Sequence, residues 1–408
     1  MDKTTELLRA LGGWDGFQVV ATERREGDPP EVWITLEPRR DRPLRCAHCG
    51  AETEQVHEQT WREVRDLPLF EARTYLKVLV YRVWCPRCGG PKRMRIDWLD
   101  EHQRVTRRLA GSILMLCTHL PIRHVAGFYG LHWHTVKRLD KRALQARLAP
   151  QDWSGVRMIG VDEFALRRGH RYATLVVELP SQRVLWVGPG RGRADFRPFF
   201  EQLGPEGCRR LQAVVMDMNS AYDLEVKAHC PQAEVVYDLF HVVAKYAREV
   251  IDRVRVDEAN RLRDDRPARR VVKTARWLLL RNREALEGAQ RVRLQELLEA
   301  NQALLTVYLL KDDLKRLWRY RHRGHARRSW EAWYARALES GIAPLVHFAQ
   351  RLKSYLGGIL AHCRWPLHTS VLEGINNRIK VIKRTAYGFR DQEYFFLKIQ
   401  AAFPGNAR

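Results

Sequence analysis

Residues Ser370–Arg390 read SVLEGINNRIKVIKRTAYGFR. Wound as a helix, they place Leu372, Ile375, Ile379 and Ile382 on one face, with Glu373, Asn377, Lys380 and Arg384 together on the opposite one. One carboxylate thus heads a stripe of amide and cationic groups, on a helix whose back is apolar enough to be anchored in a core. An ordinary amphipathic helix with a solvated polar face has the same periodicity. Paired Asn residues are mediocre helix formers, however, and a carboxylate aligned with several cations suits a site that handles phosphate and metal together. Such a site needs acidic partners elsewhere in the chain.

Two aspartates qualify. RMIGVDEF predicts a short strand ending at Asp162, and LQAVVMDMNSAY a strand ending at Asp217 and passing directly into a helix. Between them lie the strands YATLVVEL (Tyr172–Leu179) and RVLWVG (Arg183–Gly188), then a helix over about Ala194–Leu203. AEVVYD adds a fifth strand that ends near Asp238 and leads into the helix LFHVVAKYAREVID. Three sequential strands, a crossover helix and further strands interleaved with helices predict a mixed α/β sheet, in which functional groups gather at strand ends. Two strand-end aspartates plus a glutamate at the head of a later helix make a magnesium site. Two such ions ~4 Å apart support in-line displacement at phosphorus, one at the attacking hydroxyl and one at the leaving oxygen. Taken singly, each aspartate serves equally well as a cap for the turn that follows it.

The whole-chain balance agrees with a phosphate-bearing partner. There are 71 Lys+Arg against 48 Asp+Glu, a formal charge of +23, which points to nucleic acid or an anionic surface. With no lipidation signal and no apolar run near the ~20 residues of a membrane helix, nucleic acid is favoured and a membrane is not expected. MDKTTELLRALGG has no long apolar run, so no secretion signal is expected there. The 408 residues allow roughly two to four domains.

Eight cysteines fall into two sets. Cys117, Cys208, Cys230 and Cys363 are scattered, as buried thiols of a reducing compartment are. Cys46/Cys49 in RCAHCG and Cys85/Cys88 in WCPRCG form two knuckles, each followed by glycine, which together complete the four-thiolate site that zinc prefers. A redox pair or four unrelated thiols are the alternatives, and His48 is a weaker substitute ligand. The strand TYLKVLVYRVW (Thr74–Trp84) must fold the chain back to bring the knuckles together. Ahead of them, FQVVATERR and EVWITLEP flank Gly27-Asp28-Pro29-Pro30 as a hairpin.

Glu101–Leu148 reads as helical throughout: a helix near Val105–Leu116, a second after Pro121, a turn at Gly130-Leu131, and a third over His132–Leu148 carrying Lys137, Arg138, Lys141, Arg142 and Arg147. Short helix, glycine turn and longer basic helix is the helix-turn-helix arrangement, whose last helix reads the major groove by its N-terminal residues, here Trp133, His134, Thr135, Lys137 and Arg138. A plain three-helix packing module shares the apolar pattern.

The order Cys-x-x-Cys, RDLPL, Cys-x-x-Cys, VAGFYGLHWHTV, GVDEFA, VVMDMNSAY, DLFHVV and LEGINNRIKVIKRTAYGFRD resembles the ISL-three family of bacterial insertion-sequence transposases over nearly the whole chain. The resemblance implies an RNase H-like catalytic domain of the DDE type, a zinc-binding N-terminus and magnesium-dependent DNA strand transfer. Carried over motif by motif, the triad is Asp162, Asp217 and Glu373, with two magnesium ions (manganese as a substitute) as cofactor. His241 in DLFHVV matches a histidine near such sites and is assigned to a supporting role behind the metal ligands, a purely structural role being the alternative. His368-Thr369-Ser370, just before the last motif, departs from the expected Asn-Gly-like approach.

Asp217 and Glu373 are far apart in sequence, and the intervening Asp252–Trp365 shows no strands. KTARWLLLRNREAL and VRLQELLEANQALLTVYLLKDDLKRLWRY predict helices, the second with Leu294, Leu297, Leu298, Leu305, Tyr308 and Leu309 as its apolar stripe. Arg319, Arg321, Arg323, Arg327 and Arg328 interleaved with Trp318, Tyr320 and Trp330 suit phosphates and stacked bases, although a solvated basic face has the same composition and the leucines suit a dimer seam. The tail after Ile399 is expected to fray.

The resulting architecture has a zinc-binding, β-rich domain (1–98) and a helix-turn-helix (99–150). An α/β, RNase H-like catalytic domain (151–251) follows, interrupted by a helical insertion (252–365) and completed by 366–408. The expected function is DNA transposition: binding of terminal inverted repeats and cleavage and transfer of strands into target DNA, by a homodimer or larger assembly, in the bacterial cytoplasm at the nucleoid. Asn377, Lys380 and Arg384 are expected to hold DNA phosphate beside the metals. A non-catalytic DNA-binding regulator and a metal-dependent nuclease are the alternatives.

Overall fold

The alternating side chains of FQVVATERR and EVWITLEP form the antiparallel pair β1 (Phe17–Arg25) and β2 (Glu31–Pro38) across the expected loop. They open a computed structural model that describes residues 8, 12–149, 152–167, 169, 171–281 and 285–406. Two short strands, β3 (Leu44–Arg45) and β4 (Glu52–Thr53), bracket the first knuckle. Then β5 (Val56–Arg65), β6 (Arg73–Cys85) and β7 (Gly90–Arg93) complete a sheet of order β1-β2-β6-β5, with β7 beside β6. As anticipated, β6 is the strand that folds the chain back. Val19, Ile34, Leu36, Leu76 and Val78 make the core of this sheet.

The predicted trihelical segment follows as α1 (Arg107–Cys117), α2 (Ile122–Tyr129) and α3 (Trp133–Leu148), closed around Leu109, Ile113, Val125 and Val136. Sheet and helices belong to one packing unit, Met1–Ala149 with Lys383–Arg390. The RDLPL dipeptide Arg65-Asp66 joins them. Asp66 is fully buried and accepts from Trp14 Nε1 (2.9 Å), Thr106 Oγ1 (2.6 Å) and Arg108 Nε (2.7 Å), while Arg65 donates to the Tyr129 carbonyl at 2.9 Å. A buried carboxylate persists only when bonded as fully as Asp66 is.

The second unit, Pro150–Ile382 with Asp391–Arg408, is built on a mixed sheet. Its strands are β8 (Met158–Arg167), β9 (Arg171–Glu178), β10 (Arg183–Pro189), β11 (Ala213–Met216) and β12 (Glu234–Tyr237), in the order β10-β9-β8-β11-β12. The first three pair antiparallel; β11 runs parallel to both β8 and β12. Asp162 is not at a strand end, contrary to expectation. β8 continues to Arg167 along β9, whereas its parallel partner stops at the Met216–Val161 pair, so Asp162 stands where one edge of the strand opens.

Helix α4 (Arg193–Arg210), bent at Gly204, precedes β11; α5 (Ser220–His229) follows it. After β12 come α6 (Leu239–Tyr246), a widened turn at Ala247–Ile251 and α7 (Asp252–Arg261). The insertion is helical as predicted: α8 (Arg266–Thr274), α9 (Arg276–Leu280), α10 (Gly288–Ala300), α11 (Gln302–Arg316), a short turn at Leu317–Arg319, α12 (Arg323–Glu339), α13 (Ala343–Lys353) and α14 (Leu356–Ala361). Residues 282–284 of KTARWLLLRNREAL lie outside the described residues.

The long leucine helix is two helices. Asn301 adopts an extended conformation and its Oδ1 caps the next helix at Leu304 N (2.9 Å). The break resets the helical phase, so Leu304, Val307, Tyr308 and Leu314 are buried and Leu309 of the predicted stripe is exposed. One apolar cluster runs from Val161 and Met216 through Tyr246 to Leu314 and Trp333, so the insertion shares its core with the sheet. Trp318 and Trp330 belong to that core; neither is free to stack on bases. The chain closes with α15 (Ser370–Thr385) and α16 (Gln392–Ala402). The tail does not fray within the described residues: Phe403 O accepts from Val184 N, and Asn406 N donates to Ser181 O at 2.8 Å. Ala407 and Arg408 lie outside them. No helix among the described residues is long and apolar enough to cross a membrane.

Candidate metal and nucleic-acid sites

Parallel pairing of β8 with β11 sets Asp162 and Asp217 side by side, each one residue beyond the Val161–Met216 pair. Neither is spent on capping a helix. Asn219, not Asp217, caps α5 through Ala221 N at 3.0 Å. Asp217 instead meets His241, whose Nδ1 lies 2.8 Å from Oδ2. Burial opposes a charge on His241, but the Asp217 contact outweighs it, with Asp238 and Asp162 adding to the field, and the imidazole is held above its ordinary pKa. Asp162 Oδ1 accepts the Glu163 N–H at 2.7 Å, and Oδ2 accepts Asn376 Nδ2 at 2.6 Å. Glu163, the other carboxylate of GVDEF, is paired with Arg191 at 3.1 Å.

Helix α15 reaches this pair by three devices that its periodicity does not reveal. Leu372 packs on Gly160, where a side chain would meet Leu372 Cδ1 at 3.0 Å, so the glycine permits the close approach two residues before Asp162. Asn376 supplies the hydrogen bond to Asp162. Thr369 donates to Asp238 Oδ2 at 2.6 Å, both side chains being buried, and its carbonyl accepts the Glu373 N–H at 3.1 Å. The unexpected His368-Thr369-Ser370 approach is therefore an anchor, tying the first turn of α15 to the residue that begins α6. Thr369→Val is expected to cost about 1–3 kcal/mol in chemical denaturation because Asp238 is left buried and unpaired, with Thr369→Ser close to the parent.

Glu373 lies in the first turn of α15 and is exposed. Its carboxylate does not close with Asp162 and Asp217 into a group within 4.8 Å among the described residues; its helix reaches Asp162 through Asn376. Asn376 Oδ1 is buried without a hydrogen-bond partner. It belongs to the same amide whose Nδ2 holds Asp162, and with the adjacent Asp162 and Asp217 it offers hard-oxygen donors, the type that fits magnesium. Leu372, Ile375 and Ile379 form the buried face predicted for this helix, with Ile382 half-buried. Asn377, Lys380 and Arg384 are exposed, and Lys380 Nζ donates to Asn377 Oδ1 at 3.1 Å.

Burial pushes the Asp162 carboxyl up to about 6, with Asp217 adding to the rise and the Glu163 N–H opposing it. The folded chain therefore holds a proton there that the unfolded chain, with an ordinary value of about 3.9, has released. A raised carboxyl favours folding below the unfolded pKa and loses that contribution as pH rises through about 6. In metal-free protein, Asp162→Asn is expected to match the parent's melting temperature near pH 4 and exceed it at pH 7. Parallel melting profiles across that range would contradict the burial effect.

In the first unit, Cys46, Cys49, Cys85 and Cys88 present sulfurs within 4.8 Å of one another, the only such donor group among the described residues. Gly50 and Gly89, at φ of 75° and 63°, close the two knuckles by donating to the Cys46 and Cys85 carbonyls. Cys49 and its neighbours push the Cys88 thiol up to about 12, since crowded sulfurs resist ionising without a cation among them. The set fits a structural zinc, and His48 is not needed. Of the reading-helix residues, Trp133, His134 and Arg138 are exposed, and the Trp133 and His134 rings stack at 3.6 Å; Thr135 and Lys137 are half-buried. Arg319, Arg321, Arg323, Arg327 and Arg328 are exposed, leaving the insertion a basic face without the two buried tryptophans.

Known proteins match each part. Residues 42–88 match the zinc-finger of transposases IS204/IS1001/IS1096/IS1165, residues 94–144 the helix-turn-helix domain of transposase family ISL3, and residues 159–399 the ISL3 transposase domain. The transposase for insertion sequence element IS1001 of Bordetella parapertussis is 58% identical over 403 residues, 99% of each chain. That for insertion sequence element IS1557 of Mycobacterium tuberculosis is 28% identical over 418 aligned positions, 96% of this chain and 94% of its own. With the zinc knuckle, the reading helix and the aspartate pair falling inside the matched segments in the family's order, the chain belongs to the ISL3 family of insertion-sequence transposases.

Proposed function

We propose that this chain binds the terminal inverted repeats of its own insertion sequence and cleaves and transfers DNA strands by DDE chemistry. The observation that carries this reading is the adjacency of Asp162 and Asp217 on neighbouring parallel strands, with the helix of Glu373 bonded to Asp162 through Asn376. The mixed sheet, three antiparallel strands continued by two parallel ones, supports an RNase H-like assignment. Asp162, Asp217 and Glu373 would hold magnesium, with manganese as a substitute, and the bound ions supply the Lewis acidity for in-line displacement at phosphorus.

The chain's own groups do the positioning. His241 orients the Asp217 carboxylate and balances its charge; Asn376 fixes one oxygen of Asp162 so that its remaining lone pairs face outward. Asn377, Lys380 and Arg384 continue the exposed face of α15 from Glu373 and place amide and cationic groups where phosphodiester charge would lie. Trp133, His134, Thr135, Lys137 and Arg138 read the repeat in the major groove. The active form is a homodimer or larger assembly on DNA, working in the bacterial cytoplasm at the nucleoid.

Incubation of the protein with magnesium, labelled element ends and a target plasmid tests this. Joined product is expected; cleavage without joining indicates a nuclease. No cleavage, unchanged by Asp162→Ala or Glu373→Ala, indicates a DNA-binding regulator.

A further inference from the structure

We infer that the cleft between the zinc knuckle and α3 is a second DNA-contact site, in which Arg62, Arg93 and Arg142 grip a backbone phosphate. The inference rests on reading the first unit as a DNA-binding module and adds to it a site away from the base-reading residues.

The cleft has a volume of about 440 Å³ and is lined by five arginines against three acids. Two of the arginines are already matched, Arg95 to Asp97 and Arg107 to Asp100, each at 2.7 Å. Arg62, Arg93 and Arg142 remain, with Glu101 the one acid not so matched. Arg62 is half-buried and donates to the Gln103 carbonyl at 2.8 Å. Arg93 meets the ring nitrogens of His102 at 3.0–3.1 Å rather than a carboxylate. Burial lowers the Arg62 pKa, and Arg93 and Arg104 press it further in the same direction. Like charges gathered in a partly desolvated cleft are costly unless an anion completes them, and guanidinium forks match phosphate oxygens. A second cleft of about 510 Å³ continues the first, sharing Ala47, Arg93 and Glu101 and adding Lys92 and His102.

Two features point to duplex DNA rather than a free anion. Arg138 and Arg142 are one turn apart and exposed, so the face of α3 that carries a base reader leads directly into the cleft. Phosphates flanking a major-groove helix lie beside it, where contacts position the protein without reading sequence. The knuckle also builds the site, because Ala47 N donates to the Arg93 carbonyl at 2.9 Å, next to Cys46. The knuckle thus adds to the β6–β7 ladder, which pairs Arg93 with Arg82, in fixing Arg93 at the cleft, and a zinc held by the four cysteines would keep that turn in place.

The experiment measures full-length protein binding to an element-end duplex and a scrambled duplex by fluorescence anisotropy over a range of KCl. Arg62→Gln with Arg93→Gln is expected to weaken both duplexes by the same factor, roughly tenfold or more, and to flatten the slope of log K against log salt by about 1. Arg93→Lys, which keeps the charge, should restore much of the slope. Zinc content and melting temperature verify that the double variant is folded. A folded double variant with the parental slope overturns the inference, as does competition by millimolar inorganic phosphate with no change in slope, which would make the cleft a free-anion pocket. Arg138→Ala separates the two levels. If it abolishes preference for the element end while the double variant behaves as parent, only the cleft assignment falls; if neither changes binding, the DNA-reading role of α3 falls too.

Discussion

Strand cleavage at element ends is expected to fall by roughly 10³-fold or more in Asp162→Asn, Asp217→Asn or Glu373→Gln, with DNA binding retained, because in the proposed DDE chemistry each would remove a metal ligand and forfeit several kcal/mol of transition-state stabilisation. The three positions are not equivalent. Asp162 is half-buried beside Asp217, so Asp162→Asn also relieves like-charge crowding and should leave the fold at least as stable at neutral pH. Asp217→Asn weakens the 2.8 Å contact with His241 and should lower the histidine's pKa toward its ordinary value, a change visible by NMR titration. Glu373 is exposed, so Glu373→Gln should leave stability and binding alone and remove activity only. The measurement is cleavage and joining alongside anisotropy with the same labelled ends. Full activity in Glu373→Gln would mean that another acidic group completes the site.

Loss of zinc is the second large effect. Structural zinc contributes roughly 10–16 kcal/mol of apparent binding energy, comparable with the ~5–15 kcal/mol that holds a whole domain together. Yet the sheet core at Ile34, Leu36, Leu76 and Val78 and the helical core at Leu109 and Val136 do not touch the thiolates in their own packing. Double replacement Cys49→Ser with Cys88→Ser is therefore expected to release the metal and free 44–53 and 85–95 to hydrogen exchange, while α1 to α3 keep their protection. DNA affinity should fall even so, since Arg93 loses the Ala47 bond that joins its strand to the knuckle. Zinc analysis and exchange mass spectrometry check this together; full zinc content in the double variant would show that these sulfurs are not the ligands.

The zinc knuckles, the three helices after them, the five strands of the mixed sheet and the helical insertion were all readable from spacing, because the motif or periodicity of each is carried by residues a few positions apart. Errors arose where local signals were silent. Asn301 looked like one more helical residue, and only its side-chain cap on Leu304 shows that the helix restarts there with a new phase. Trp318 and Trp330 looked like stacking platforms among arginines. Burial against partners distant in the chain, such as the Tyr237 carbonyl 81 residues away from Trp318, placed them inside.

The stretch at Ser370–Arg390 shows the division most sharply. Its periodicity alone determined that a helix forms, that Leu372, Ile375 and Ile379 are its buried face, and that Glu373 heads the polar one. The tertiary structure decided which of two adjacent asparagines meets Asp162. Asn377 stays in solvent beside Lys380, while Asn376 reaches Asp162 across 214 residues of sequence. Gly160 and the Thr369–Asp238 bond set that choice, since they fix how close the helix lies to the strand and how it is turned. Neighbouring helical residues point about 100° apart. Exchanging their roles would take a turn of that size, and only packing against residues far away in the chain sets which way the helix is turned.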